Sequence, residues 1–170
     1  MKFTFETQYN TKTLTIMAKA LRKTIQKKRS RRSHIFGWII TVLGLFRVIK
    51  NFAFDFRTII ISIAILMVWG ALLFEDRLNG YFAKKRLLPG TEKAVSVFSE
   101  NGFISTTDIG KTEWNYDKIM LIAETTDFFV FVFSVSHAQL YDKRHLQGGT
   151  ADDFRRFIEQ ATGKRVQAIK

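Results

Sequence analysis

The sequence predicts an α+β membrane protein, with an N-terminal strand and basic helix, a two-helix transmembrane hairpin, and then a small sheet domain closed by a C-terminal helix. Three observations predict it. Two uncharged apolar runs, residues 35–46 and 58–74, lie close together; a block of Lys and Arg precedes them; and beyond residue 90 short Val-, Ile- and Phe-rich runs alternate with turn residues. A charge at the bilayer centre costs roughly 2.5 to 3.5 kcal/mol on insertion scales, so the absence of charge in both runs places them in lipid.

Lys2 to Thr7 alternates Phe3 and Phe5 with polar residues, the period of a half-buried strand. Asn10 or Thr11 then caps a helix on which Leu14, Met17, Ala18, Leu21 and Ile25 recur at helical spacing among cations. Such a basic amphipathic helix is expected along the cytoplasmic interface or continuous with the first membrane helix, the alternative being packing on the soluble domain. Residues 1–33 are read as this N-terminal unit.

Residues 34–75 form the hairpin, with helices over about 35–54 and 56–74. The first extends through Arg47 and Lys50 to a cluster of Phe52, Phe54 and Phe56 resembling an interfacial belt. The second spans about 25 Å at 1.5 Å per residue, the lower limit for a hydrocarbon core of about 30 Å, which leaves a re-entrant hairpin open. Gly37, Thr41 and Gly44 on one run, and Ser62, Gly70 and Ala71 on the other, are small enough for close packing. Residues 76–90 continue as a helical extension and linker, with Leu78, Tyr81, Phe82 and Arg86 as one stripe, until Leu88-Pro89-Gly90 ends it.

Charge sets orientation. Residues 1–75 carry 13 Lys and Arg against 3 acids, whereas residues 76–170 carry 14 against 12. Arg77, Lys84, Lys85 and Arg86 follow the second run, but only Lys50 and Arg57 lie near the loop between the two, so both termini are expected in the cytosol of a multi-pass cell-membrane protein. The acid-free basic block is a signature of nucleic acid or anionic lipid, and its place beside a membrane run favours lipid, each cation contributing about 1 kcal/mol before screening. The expected lipid contacts are Lys27, Lys28, Arg29, Arg31, Arg32, Lys84, Lys85 and Arg86. No nucleic-acid partner is expected.

Residues 91–170 show antiparallel sheet grammar: runs at 93–99, 103–107, 111–115, 119–124, 128–134 and 138–141, separated by turns such as Glu100-Asn101-Gly102. With the Phe3 strand they make six or seven strands of a curved, barrel-like sheet. Thr150 caps a last helix whose Phe154, Phe157, Ile158 and Ala161 form one apolar stripe, and Gly163 stops it.

The stretches Phe3-Thr-Phe-Glu6, Phe98-Ser-Glu-Asn-Gly-Phe-Ile104, Trp114-Asn-Tyr-Asp-Lys-Ile119 running to Glu124, and Tyr141-Asp-Lys-Arg-His-Leu146 before Phe154-Arg-Arg-Phe-Ile158 resemble the YcxB-like family of bacterial membrane proteins. The C-terminal domain of that family is similar to pleckstrin-homology domains. The resemblance implies a membrane-tethered module for residues 91–170 and no catalytic residues. Where many members have Pro-Lys-Arg, this chain has Asp142-Lys143-Arg144.

Catalytic chemistry finds no constellation. Ser136 and His137 are adjacent on an expected strand, so their side chains leave opposite faces. With no Cys, disulfides and thiolate metal sites are excluded, and scattered His at 34, 137 and 145 make a zinc site unfavourable. No phosphate loop or dinucleotide fingerprint occurs, and no cofactor is expected. Lys143, Arg144 and His145 form a candidate anion patch beside the last helix. The start of the chain lacks a short apolar core with a cleavage site, so its N-terminus is expected to be retained. The function expected is that of a membrane-anchored, non-enzymatic binding or scaffolding module at the inner leaflet, in contact with anionic lipid and an unidentified protein. The alternative from another class is a bacteriocin-immunity or envelope-stress protective protein.

Overall fold

The computed structural model describes residues 2–50 and 55–169. Phe52 and Phe54 of the expected aromatic belt, and the end of the first hairpin helix, lie outside the described residues.

The chain opens with β1 (Phe3–Gln8), which buries Phe3, Phe5 and Thr7 on alternate positions. Asn10 then caps α1 (Thr11–Lys23) reciprocally with Thr13, each side chain accepting from the other's backbone N–H. The two apolar helices follow as α2 (Lys27–Lys50) and α3 (Phe56–Leu73), both long and apolar enough to cross a membrane. Only Phe74 separates α3 from α4 (Glu75–Arg86), which ends ahead of Pro89 as expected.

Among the described residues nine strands, rather than six or seven, make two separate sheets. The first orders β4 (Gly110–Trp114), β3 (Gly102–Thr107), β2 (Lys93–Ser99), β1 and β8 (Leu146–Gln147). The second orders β7 (Ala138–Asp142), β6 (Phe128–Val132), β5 (Leu121–Glu124) and β9 (Val166–Ala168), whose pairing to β5 is parallel. The arrangement is two open sheets and not the continuous curved sheet expected. Strands β8 and β9 have two and three residues, too short for an alternating pattern to register. Helix α5 (Ala151–Thr162) starts at Thr150, whose hydroxyl accepts from the Asp153 N–H, and stops at Gly163 in the left-handed conformation, as its sequence predicts.

One connection governs everything that follows. Strands β1 and β2 are antiparallel neighbours, with Phe3 opposite Phe98 and Gln8 opposite Lys93, so residues 9–92 are one long excursion between adjacent strands. Its neck is closed by the Tyr9 N–H donating to the Glu92 carbonyl at 2.7 Å and by a Lys93–Glu6 ion pair at 2.9 Å. The N-terminal strand therefore belongs to the same sheet as β2, β3, β4 and β8.

Strand β6 explains the layering. All five of its residues are buried. Phe129 and Phe131 join Phe3, Phe5, Phe98, Phe103, Tyr141, Phe154 and Ile158 in an aromatic core between the sheets and α5. Ring pairs such as Phe5–Phe154, edge-to-face at 4.7 Å, fix its geometry. Phe128, Val130 and Val132 point the other way, and α1 covers them with Ala20 and Leu21. That corrects the expected posture of α1: its apolar stripe lies on protein rather than on a membrane surface, because an alternating strand buried on both faces needs a second cover.

Candidate functional site

The hairpin is packed through the small residues of α2. A Cβ on Gly37 would lie 2.6 Å from Leu72 Cδ1, and one on Gly44 would lie 2.8 Å from Ile65 Cδ1, so both glycines face α3 closely. Thr41 is buried between them and accepts a hydrogen bond from Trp69 Nε1 at 3.1 Å. Gly70 has no neighbour within 4 Å and Ala71 is exposed, so these two do not take part as expected. The outer surface of α3 is wholly unburied by protein.

At the base of the hairpin α1, α2 and α4 converge on two acids that immediately follow the apolar run. Arg22 donates through Nε and Nη2 to the two Asp76 oxygens at 2.6 and 2.7 Å, a bidentate pair. Its Nε is 3.9 Å from Glu75. Glu75 Oε2 accepts from Ser30 Oγ at 3.1 Å and lies 3.3 Å from His34 Nε2. The guanidinium of Arg22 is held charged by this pairing, its pKa raised mainly by the hydrogen bond to Asp76. Lower down, a Cβ on Gly80 would come within 2.7 Å of Thr15 N and 2.8 Å of Thr15 Cα, so α1 and α4 touch backbone to backbone. The expected stripe of α4 is therefore on the wrong side for packing: Leu78, Tyr81 and Phe82 are exposed, and Gly80 is the buried position.

The sequence-predicted cations separate into three groups. Lys27, Lys28, Arg29, Arg31 and Arg32 occupy the first two turns of α2, are all exposed, and have no carboxylate partner among the described residues. Lys84, Lys85 and Arg86 sit nine to eleven residues beyond Glu75, about 14 to 17 Å along a helix, where Lys84 is 3.9 Å from Glu92 and Lys85 lies over the Tyr81 ring.

The third group, Lys143, Arg144 and His145, does not converge on an anion site. Lys143 Nζ turns inward to Glu124 Oε1 at 2.6 Å and to the Thr125 carbonyl at 2.7 Å, and lies over the Phe129 ring. Arg144 forms a two-point pair with Asp142, at 2.9 and 2.5 Å, and His145 Nδ1 is 3.7 Å from the same carboxylate. Asp142 thus holds Arg144 and lies beside His145, while Lys143 is held by Glu124. Burial of Glu124 would raise its pKa, but the bonds from Arg155 and Lys143 outweigh burial and hold it below its usual value. Glu124 is the hub that ties α5 to the second sheet.

His137 and Ser136 lie in the turn before β7 rather than on a strand. The His137 ring stacks on Trp114 at 5.6 Å, and burial lowers its pKa. Among the described residues no three His, Asp or Glu side chains are grouped to hold a metal ion. Sequence reasoning missed Arg22, Ser30, Glu75, Asp76 and Gly80 as one junction; the only local signal was that Glu75 and Asp76 are the first charges after an uncharged run.

No curated protein matches the chain. Residues 98–158, from β2 through the buried turns of α5, match the family model described as YcxB-like protein, so over that stretch the chain is similar to the family that Phe98, Trp114, Tyr141 and Phe154 led one to expect.

Proposed function

We propose that this protein is a membrane-anchored, non-enzymatic binding or scaffolding module that presents a pleckstrin-homology-like sheet domain at the inner leaflet. One observation carries the reading: five exposed cations, without acidic partners among the described residues, fill the first two turns of a helix whose following turns are apolar and largely exposed. Water solvates such a helix poorly, whereas a bilayer with anionic headgroups matches both halves. The excess of Lys and Arg outside the apolar runs orients both termini to the cytosol. Five cations at about 1 kcal/mol each, reduced by screening, favour anionic over zwitterionic lipid by at least tenfold. The sheet domain then supplies a rigid protein-facing surface, held at fixed distance by α1 and α4.

The test is the relative association of spin-labelled phosphatidylglycerol and phosphatidylcholine with the full chain reconstituted in mixed bilayers. The parent is expected to enrich phosphatidylglycerol. A variant with Lys27, Lys28, Arg29, Arg31 and Arg32 all changed to Gln should lose that preference; an unchanged preference refutes the lipid role.

A further inference from the structure

The base of the hairpin carries two adjoining concavities that share a wall. One is an open cleft of about 620 Å³ between the α1–α2 turn and the end of β9; Lys23, Lys27, Arg31 and His34 line it, and Arg22 and Ile169 form its floor. The other is an apolar slot of about 180 Å³ between α2 and α3, lined by His34, Trp38, Trp69, Leu72 and Leu73. His34 belongs to both. Lys27, Arg31, His34 and Trp38 recur at helical spacing, so a single face of α2 runs from cationic to apolar across the two.

We infer that the cleft and the slot together seat one anionic phospholipid, with its phosphate at Lys27 and Arg31 and one acyl chain along Trp38, Trp69, Leu72 and Leu73. The inference rests on the lipid reading above and narrows it to a site. Charge complementarity carries it: among the described residues the carboxylates beside Lys27 and Arg31 are Glu75 and Asp76, and Asp76 is consumed by Arg22 while Glu75 is taken by Ser30 and His34. Lys27 and Arg31 are left without acidic partners among the described residues. The adjoining slot is apolar, and Trp38 and Trp69 meet edge-to-face at 5.7 Å, which gives it an aromatic corner to receive a hydrocarbon chain. A free phosphate would use the cleft alone; an amphiphile uses both.

The experiment exploits the two tryptophans. Full chain carrying Trp114→Phe is reconstituted with phosphatidylglycerol or phosphatidylcholine brominated on the acyl chain, and Trp fluorescence quenching is read as lipid composition is varied. Phosphatidylglycerol is expected to quench at about tenfold lower mole fraction, as two cations at about 1 kcal/mol each would give after screening. Lys27→Gln with Arg31→Gln should remove most of the difference, and Arg29→Gln with Arg32→Gln, the same charge removed elsewhere on α2, should leave the larger part of it. Equal quenching by the two lipids, or equal loss in both double variants, overturns the site; the latter leaves the general lipid preference standing. Displacement of the lipid effect by inorganic phosphate also overturns it, since the chain would then contribute nothing. If Trp114→Phe fails to fold, Trp38→Phe and Trp69→Phe in the natural background assign the quenching by difference.

Discussion

Replacing Gly80 by Ala tests how the sheet domain is joined to the hairpin. Ala is a better helix former than Gly by about 1 kcal/mol, so an exposed glycine in α4 would reward the change. Here the new methyl would sit 2.7 Å from Thr15 N and 2.8 Å from Thr15 Cα, against an ordinary contact of about 3.5 Å or more. Backbone cannot rotate aside, so α1 and α4 must separate by several tenths of an ångström, an overpacking cost of about 1–3 kcal/mol. With backbone contacts under 3 Å the cost lies in the upper part of that range, so the net expectation is a loss of about 1–2 kcal/mol, a fall of about 2–8 °C in melting temperature for a chain of this size. Gly37→Ala is the control, because its methyl would meet only the movable tip of Leu72. Adding Thr15→Ala to Gly80→Ala should recover little, since the backbone of residue 15 remains in the way. The assay is thermal unfolding of the full chain in micelles followed by near-UV circular dichroism. A Gly80→Ala protein as stable as the parent would refute the direct α1–α4 contact and, with it, the fixed spacing between membrane and sheet domain.

Two further outcomes follow from the sheet domain. Glu124→Gln leaves Lys143 buried without its charge partner, the two side chains being 15% and 11% exposed, and should cost about 3 kcal/mol, about 6–12 °C in the same melt. Because the Glu124 pKa is lowered in the folded state, its stabilisation is present above the ordinary carboxylate range and is lost as pH falls through the folded value; Glu124→Gln should flatten that acid-side slope. Thr150→Ala removes the α5 cap and should cost about 1 kcal/mol. Asp153 shares that cap and has its pKa lowered to about 2 by bonds to Thr150, so its contribution should fade from about pH 4 downward; a parent melt flat over that range contradicts the pairing.

The elements readable from sequence were those with a strong period. Phe128 to Val132, the Phe3 strand and the α5 stripe each repeat a hydrophobic spacing long enough to identify, and Thr150 and Gly163 mark ends by backbone chemistry alone. Which partner a stripe meets is a different kind of fact. The stripe on α1 is the same whether it lies on lipid or on Val130 and Val132, and only the three-dimensional placement of β6 decides. The junction was less legible still, since Arg22 and Asp76 lie 54 residues apart and nothing local distinguishes Arg22 from the other cations around it. The Lys143-Arg144-His145 run failed for the converse reason: its cations are close in sequence, but Glu124 and Asp142 draw the first two apart.

That distribution of ion pairs bears on what the molecule presents. The sheet domain neutralises its own conspicuous cations at Glu124 and Asp142, whereas α2 leaves five cations without acids among the described residues. Attraction to an anionic surface is thus concentrated at the hairpin base. The hairpin in turn is spliced between β1 and β2, so it cannot pivot about a flexible tail: both ends of the excursion are strands in a six-position antiparallel ladder, pinned at Tyr9 and Glu92. Tilting the hairpin relative to the sheet requires either breaking that ladder, at about 0.5–1.5 kcal/mol per hydrogen bond, or parting α1 from α4 at Thr15 and Gly80. Under the proposed function, a module tethered by one linker would sample many heights above a membrane, whereas one inserted through two neighbouring strands would have its height and orientation set by the fold and would offer its sheets to a partner in a single pose.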